Sequence, residues 1–263
     1  MRKEDKALSD VHTGHRQRLR ERFLREGLAS FTERETLELL LMYAIPQKDV
    51  SPLAAELLVR FGSLSGVLEA DRASLLSVAG VGENAATLLS LMPQLMGRYE
   101  QSRLGERPAL SDPASTVRYA RTLFAGAQEE RVFLICLDLS GRVLRAALLR
   151  RGTLDEVSLY PREVVEQALQ AHAHAVILAH NHPGGTPQPT SADIETTRRV
   201  VDALGVVGIR ALDHVIIGRD TAYSMASGGL IKNGRISGES LRAGSAASLT
   251  RQVPGLGWEA ESK

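Results

Sequence analysis

The chain has one cysteine, Cys136, in 263 residues. An internal disulfide is therefore excluded, and a reducing compartment is expected. Aromatic residues make up only 4%, which leaves little for stacking on single-stranded bases. Charge of neither sign dominates: 32 Lys and Arg stand against 31 Asp and Glu, for a net charge of +1. Whole-chain charge thus announces no nucleic-acid partner, and local clusters carry that question. Apolar runs are broken by charge or glycine well short of a bilayer span. The stretch up to Phe23 lacks the apolar core of a secretory signal. No membrane role and a cytoplasmic location are the expectation.

What is present suffices for two small domains. Residues from about 10 to 100 read as helical. Thr32 and Glu35 make a capping-box pattern at ETLELLLMYAI, and Pro46 stops that helix. Ser51-Pro52 opens LAAELLVRF, and Gly62 closes it. Two further helix patterns flank the turn Ala79-Gly80-Val81-Gly82. Residues 101–112 are polar, contain Gly and Pro, and read as a linker. Beyond them strand patterns (RVFLICLDL, RVLRAALLRRG, AVILAHNH, LDHVIIG) alternate with helix patterns (STVRYARTLFAG, PREVVEQALQAH, TSADIETTRRVVDALGVV). That alternation predicts an α/β domain over 113–231 behind an all-α domain over 1–100. Residues 232–263 turn to Ser, Gly, Ala and Arg and read as a flexible tail. Trp258 in it is either a docking anchor or part of a solvated segment.

The chemistry concentrates in AVILAHNHPGG. Side chains alternate along a strand, so His180 and His182 point the same way. They emerge where Pro183-Gly184-Gly185 breaks the strand. The next helix begins at Thr190, which places Asp193 on its first turn. Two imidazoles and a carboxylate suit a catalytic Zn2+ that keeps one position for water. The same Asp193 also fits a capping box with Thr190. Asn181 points away from its neighbours and reads as structural. His214 reads as an ordinary core histidine or as an outer partner of the metal site. Asp213 receives no role, and Cys136 reads as core packing.

These stretches, with RRGTLDEVSLYPREVVEQ ahead of them, resemble the JAB domain of the bacterial RadC family, of the JAB/MPN (JAMM) type. The preceding GHRQRLRERF and the GVG turn resemble the RadC N-terminal part. Together the resemblance covers about four-fifths of the chain. It implies a mixed sheet flanked by helices, of the cytidine-deaminase-like kind, and a zinc hydrolase acting on amide or isopeptide bonds. It also implies a glutamate at the start of an earlier strand as general base. Glu129 and Glu130 are the candidates, and the family spacing favours Glu130. Glu163 is the runner-up, although its place in a first helical turn suits the helix dipole. Thr190 stands where the family pattern has serine, whose hydroxyl is implied to stabilise an oxyanion. The family name carries an association with DNA repair.

The helical part offers two DNA features. Gly80, Val81 and Gly82 fit a helix-hairpin-helix turn, whose backbone N–H groups can hold a phosphate. Alternatively the turn joins two helices and binds nothing. Arg16, Arg18, Arg20 and Arg22 cluster in HRQRLRERF, either as a phosphate-binding stripe or as a solvated, ion-paired face. Three functions compete: a zinc peptidase with an unknown protein or peptide substrate, a metal-dependent nuclease or DNA-processing enzyme, and a non-catalytic DNA-bound scaffold. An open metal position argues against the last.

Overall fold

The computed structural model describes residues 3–152, 159–183, 185–232 and 235–236. The chain divides into two compact units, Met1–Met96 and Gly97–Lys263.

The first unit is helical. Its elements are α1 (Lys3–Glu26), α2 (Glu33–Ala44), α3 (Ser51–Phe61), α4 (Leu64–Leu68), α5 (Arg72–Leu76) and the start of α6 (Glu83–Arg103). Local signals set the ends. Thr32 caps α2 in a full capping box with Glu35, and Asp71 accepts from the Ser74 N–H to cap α5. Gly80 turns the chain between α5 and α6 at φ +94°, a conformation that residues with a Cβ rarely adopt. Leu37, Leu41, Met42, Leu57, Leu75 and Leu89 are fully buried and form the unit's core. Arg16 reaches from α1 to the end of α2. Its guanidinium donates to the carbonyls of Ile45 (2.6 Å), Pro46 (2.7 Å) and Lys48, which lie in the turn beyond the end of α2.

The second unit carries a five-stranded mixed sheet. Its elements are α7 (Pro113–Leu123), β1 (Arg131–Leu137), β2 (Val143–Arg151), α8 (Pro161–Gln170), β3 (Ala175–Asn181), α9 (Ser191–Val206), β4 (Arg210–Ile217) and β5 (Ala222–Ser224). The strand order is β2-β1-β3-β4-β5. Only β3 and β4 are parallel, joined by the crossover helix α9; the other neighbours are antiparallel. β3 is central and buried at every residue, which accounts for its apolar run. One face packs Val132, Leu134, Val176 and Leu178 against residues of α8 and α9. The other packs Ile135, Ile177, Ala179 and Val215 against Val117 and Ala120 of α7. This is the mixed sheet flanked by helices that the family resemblance implies, and it fits the α/β alternation read along the sequence.

Residues 101–112 are tied into the second unit at their C-terminal half. α6 runs to Arg103. The Leu110 N–H then donates to the Gly141 carbonyl and the Val143 N–H to the Pro108 carbonyl, both at 2.9 Å. At the other end, Ile231–Lys232 (β6) pairs with Arg235–Ile236 (β7). The flexible-tail reading of the remaining C-terminal residues, with Trp258, lies outside the described residues, as does Gly184 in the strand-breaking turn. Among the described residues, no helix is long and apolar enough to cross a membrane.

Candidate metal centre

The end of β3 delivers both histidines to one place. His180 is the penultimate residue of β3, and His182 follows it, its N–H still donating to the Ile217 carbonyl at 2.8 Å. Their rings lie 4.7 Å apart, centroid to centroid. α9 begins beside them and contributes Asp193 from its first turn. Asp193 Oδ1 is 3.3 Å from His180 Nε2, and Oδ2 is 3.7 Å from His182 Nε2. One potential ligand atom from each of the three residues lies within 4.8 Å of the others. His180 and Asp193 are buried, while His182 is partly open.

Asp193 makes the cap and still keeps an oxygen for a metal, because its two oxygens face different partners. Oδ2 accepts from the N–H and the hydroxyl of Thr190, both at 2.7 Å. The Asp193 N–H donates back to Thr190 Oγ1 at 3.1 Å, completing the capping box. Oδ1 is the oxygen turned to His180. Thr190 spends its one hydroxyl hydrogen on this cap.

The fit to a cation can be tested through the hydrogens. A carbonyl oxygen only accepts. His182 Nδ1 lies 2.8 Å from the Thr186 carbonyl, so that nitrogen carries the ring hydrogen. For His180 the same conclusion comes through two neighbours. Thr197 Oγ1 donates to the Asp193 carbonyl at 2.6 Å, which uses its only hydrogen. His214 Nδ1, 2.5 Å from Thr197 Oγ1, must then donate. His214 Nε2 is left to accept from His180 Nδ1 at 2.7 Å. Both neutral rings therefore turn bare Nε2 lone pairs toward each other, 2.9 Å apart, beside a carboxylate oxygen. Such a set of converging lone pairs is satisfied by a cation. Burial also disfavours a proton there: it pushes the His180 pKa down to about 4, against an upward pull from Asp193 and with a further push from His182. His214 is held well below the ordinary imidazole value, first by burial and then by His180 and His182. Donor type and placement fit a divalent metal.

The strand register sorts the glutamates. β1 and β3 pair antiparallel, with Val132 across from His180. Continued past the last pair, this register sets Glu130 across from His182, and opposed residues share a face. Glu129 is one residue off. Its carboxylate turns to Arg131 Nε (3.4 Å) and Arg151 Nη1 (3.7 Å). Glu163 is ion-paired with Arg150. Asn181, the residue between the histidines, grips the backbone on both sides of Glu130. Its Oδ1 accepts from the Arg131 N–H at 2.8 Å, and its Nδ2 donates to the Glu129 carbonyl at 3.1 Å. The Gly152 N–H donates to the carbonyl of Glu130 itself at 2.8 Å.

Sequence reasoning assigns Asp213 no role. It is a buried carboxyl that accepts from the His214 N–H (2.7 Å), the Ala226 N–H (2.9 Å) and the Ser224 hydroxyl (2.6 Å), so it fastens β5 and the turn after it to β4. For Asn181 and His214 the sequence supports only a general reading. Spacing along one chain does not tell which backbone or ring they meet from another strand.

The DNA candidates of the first unit are dispersed. Arg16 is committed to carbonyls, as described. Arg22 pairs with Glu35 at 2.8 Å, and its guanidinium lies 4.1 Å from the Phe31 ring centroid. Arg20 covers the Tyr43 ring, and Arg18 is exposed. Val81 is buried as an apolar plug between Gly80 and Gly82. Glu83, the first residue of α6, is ion-paired with Arg72, so a carboxylate already stands at that helix N-terminus.

Taken together, a mixed sheet with a His-His-Asp cluster at the end of its central strand, following a small helical unit along the chain, has the features of a RadC-like JAB domain with an N-terminal extension. Comparison with known families agrees: the RadC-like JAB domain matches residues 110–230, and the UPF0758 N-terminal domain matches residues 12–87. The chain is 41% identical over 215 residues to UPF0758 protein Bpet3149 of Bordetella petrii, a match that covers 82% of this chain and 96% of the relative. It belongs to the UPF0758 family.

Proposed function

We propose that the second unit is a zinc-dependent hydrolase that cleaves an amide bond, peptide or isopeptide. The observation that carries the reading is the meeting of His180, His182 and Asp193 Oδ1 as bare electron-pair donors; the β1–β3 register, carried two residues beyond its last pair, would set Glu130 across from His182. His180, His182 and Asp193 would hold the metal. Zinc bound there supplies Lewis acidity, acidifying water and polarising a carbonyl. Glu130 takes the proton from the attacking water and passes it to the leaving amine. Asn181 keeps the Glu130 backbone in line for that transfer. His182, the most open of the three, faces the side from which substrate enters. Thr190 holds Asp193 in place through the cap, and a hydrogen bond from its hydroxyl to an oxyanion requires that cap to open. Association with DNA rests on the Gly80-Val81-Gly82 pattern and the exposed Arg18.

The test is metal content followed by turnover. Purified protein is expected to hold about one zinc per chain. His182→Ala loses it, and Glu130→Gln keeps it while losing activity on a labelled peptide library. Cleavage of labelled DNA in place of peptide would favour the nuclease reading. Zinc retention with no hydrolysis of either would favour the scaffold.

A further inference from the structure

The hydrogen-bond chain behind His180 does more than fill the interior. It begins at the main-chain carbonyl of one candidate ligand, Asp193, and ends at Nδ1 of another, His180. The two links between them come from different elements, Thr197 one turn along α9 and His214 on β4. His214 is fully buried, and each of its nitrogens has a partner. A side chain needed only for volume would be apolar, because burying an imidazole costs free energy unless both nitrogens are satisfied. Here both are satisfied in one sense only. Reversal of the chain would require the Asp193 carbonyl to donate.

We propose that His214 and Thr197 are positioning residues that lock His180 as its Nδ1–H tautomer and so set the affinity of the centre for metal. This rests on the metal reading above. Nδ1–H is the less common tautomer of a free imidazole. Without an acceptor at Nδ1, His180 moves its hydrogen to Nε2 or turns its ring, and either change removes a lone pair from the centre. Outer partners of metal-bound histidines generally matter by about 10–100-fold in affinity.

The tautomers are read in metal-free protein by side-chain nitrogen NMR of labelled histidines. His180, His182 and His214 should all be Nδ1–H in the wild type. In Thr197→Val the His214 ring loses its acceptor, the His180 signals shift toward Nε2–H, and zinc affinity falls about 10–100-fold. Thr197→Ser keeps the hydroxyl and should restore both readouts. His214→Phe should show the same loss; if it does not fold, the Val and Ser pair carries the test. An Nε2–H wild-type His180 overturns the proposal. So does wild-type zinc affinity in folded Thr197→Val. A wild type with no affinity for zinc or cobalt removes the metal reading and this proposal with it. Metal binding that is equal in all variants removes the proposal alone.

Discussion

Nε2 of His180 and Nε2 of His182 lie 2.9 Å apart, and in the neutral rings neither carries a hydrogen to place between them. The hydrogen-bond network behind the rings therefore holds lone pairs against one another in the metal-free centre. Replacing Asp193 by Asn tests this directly. The Asn amide oxygen keeps the cap with Thr190, and its NH2 group turns to His180 Nε2. A repulsion becomes a hydrogen bond, worth about 1 kcal/mol. Asp193→Asn should thus lose metal binding while the metal-free protein melts about 2–4 °C higher than the wild type. Calorimetry with chelator present checks it, and a lower melting point would count against converging lone pairs.

Acidity should destabilise the metal-free protein. Burial keeps the His180 pKa near 4, against an ordinary value of 6.5. The unfolded chain therefore binds the proton between pH 6.5 and 4 while the folded chain does not. Stability falls across that window as pH falls, by roughly 3 kcal/mol for a shift of this size, and levels off below it. Asp213 acts in the opposite sense, since burial raises its pKa. Comparing the urea midpoint of the wild type with that of His180→Gln across the window cancels the Asp213 contribution. The variant should show the shallower pH dependence; equal slopes would mean that His180 takes up its proton at the same pH in the folded and the unfolded chain.

How much of the fold and site is legible in the sequence depends on where each signal sits in the chain. The helix ends at Thr32 and Gly62 are readable because caps are local. The shared direction of His180 and His182 is readable because strand alternation is local too. Asp193 is readable as cap or ligand, and whether one carboxylate is placed to do both depends on which oxygen faces which neighbour. The roles of Asn181, His214 and Thr197 are not readable, since each meets a partner from another element. Arg16 looks equivalent to Arg18 along the sequence. Only the fold reveals that α2 ends beneath Arg16 and not beneath Arg18.

Asn181 supplies a way to separate base placement from metal binding. Asn181→Leu fits the volume but leaves the Arg131 N–H and the Glu129 carbonyl without their partner. About 2–4 kcal/mol of stability should be lost. More tellingly, the backbone around Glu130 loosens while His180, His182 and Asp193 keep their places. Zinc content should stay near wild type, and kcat should fall at least about 100-fold, since displacing a catalytic group by about 1 Å has that effect. Loss of zinc together with activity would show that Asn181 supports the ligands and not the base.

Arg16 and Arg18 make the corresponding pair in the helical unit. The Arg16 guanidinium donates to three carbonyls beyond the last turn of α2, so Arg16→Ala leaves those carbonyls unmet and removes charge-assisted bonds worth about 1.5–3 kcal/mol each in favourable cases. The partial exposure of the site places the expected loss nearer about 2 kcal/mol in all. Arg18 is exposed, so Arg18→Ala should leave the melting point within about 1 °C. If the unit holds DNA, Arg18→Ala weakens binding and lowers the salt slope by about one counterion, because one phosphate then keeps its own cation. Fluorescence anisotropy on labelled duplex across a salt series measures both quantities. Equal salt slopes for wild type and Arg18→Ala, with a melting loss confined to Arg16→Ala, would assign the arginine cluster to holding the helices together and remove it from any role in binding DNA.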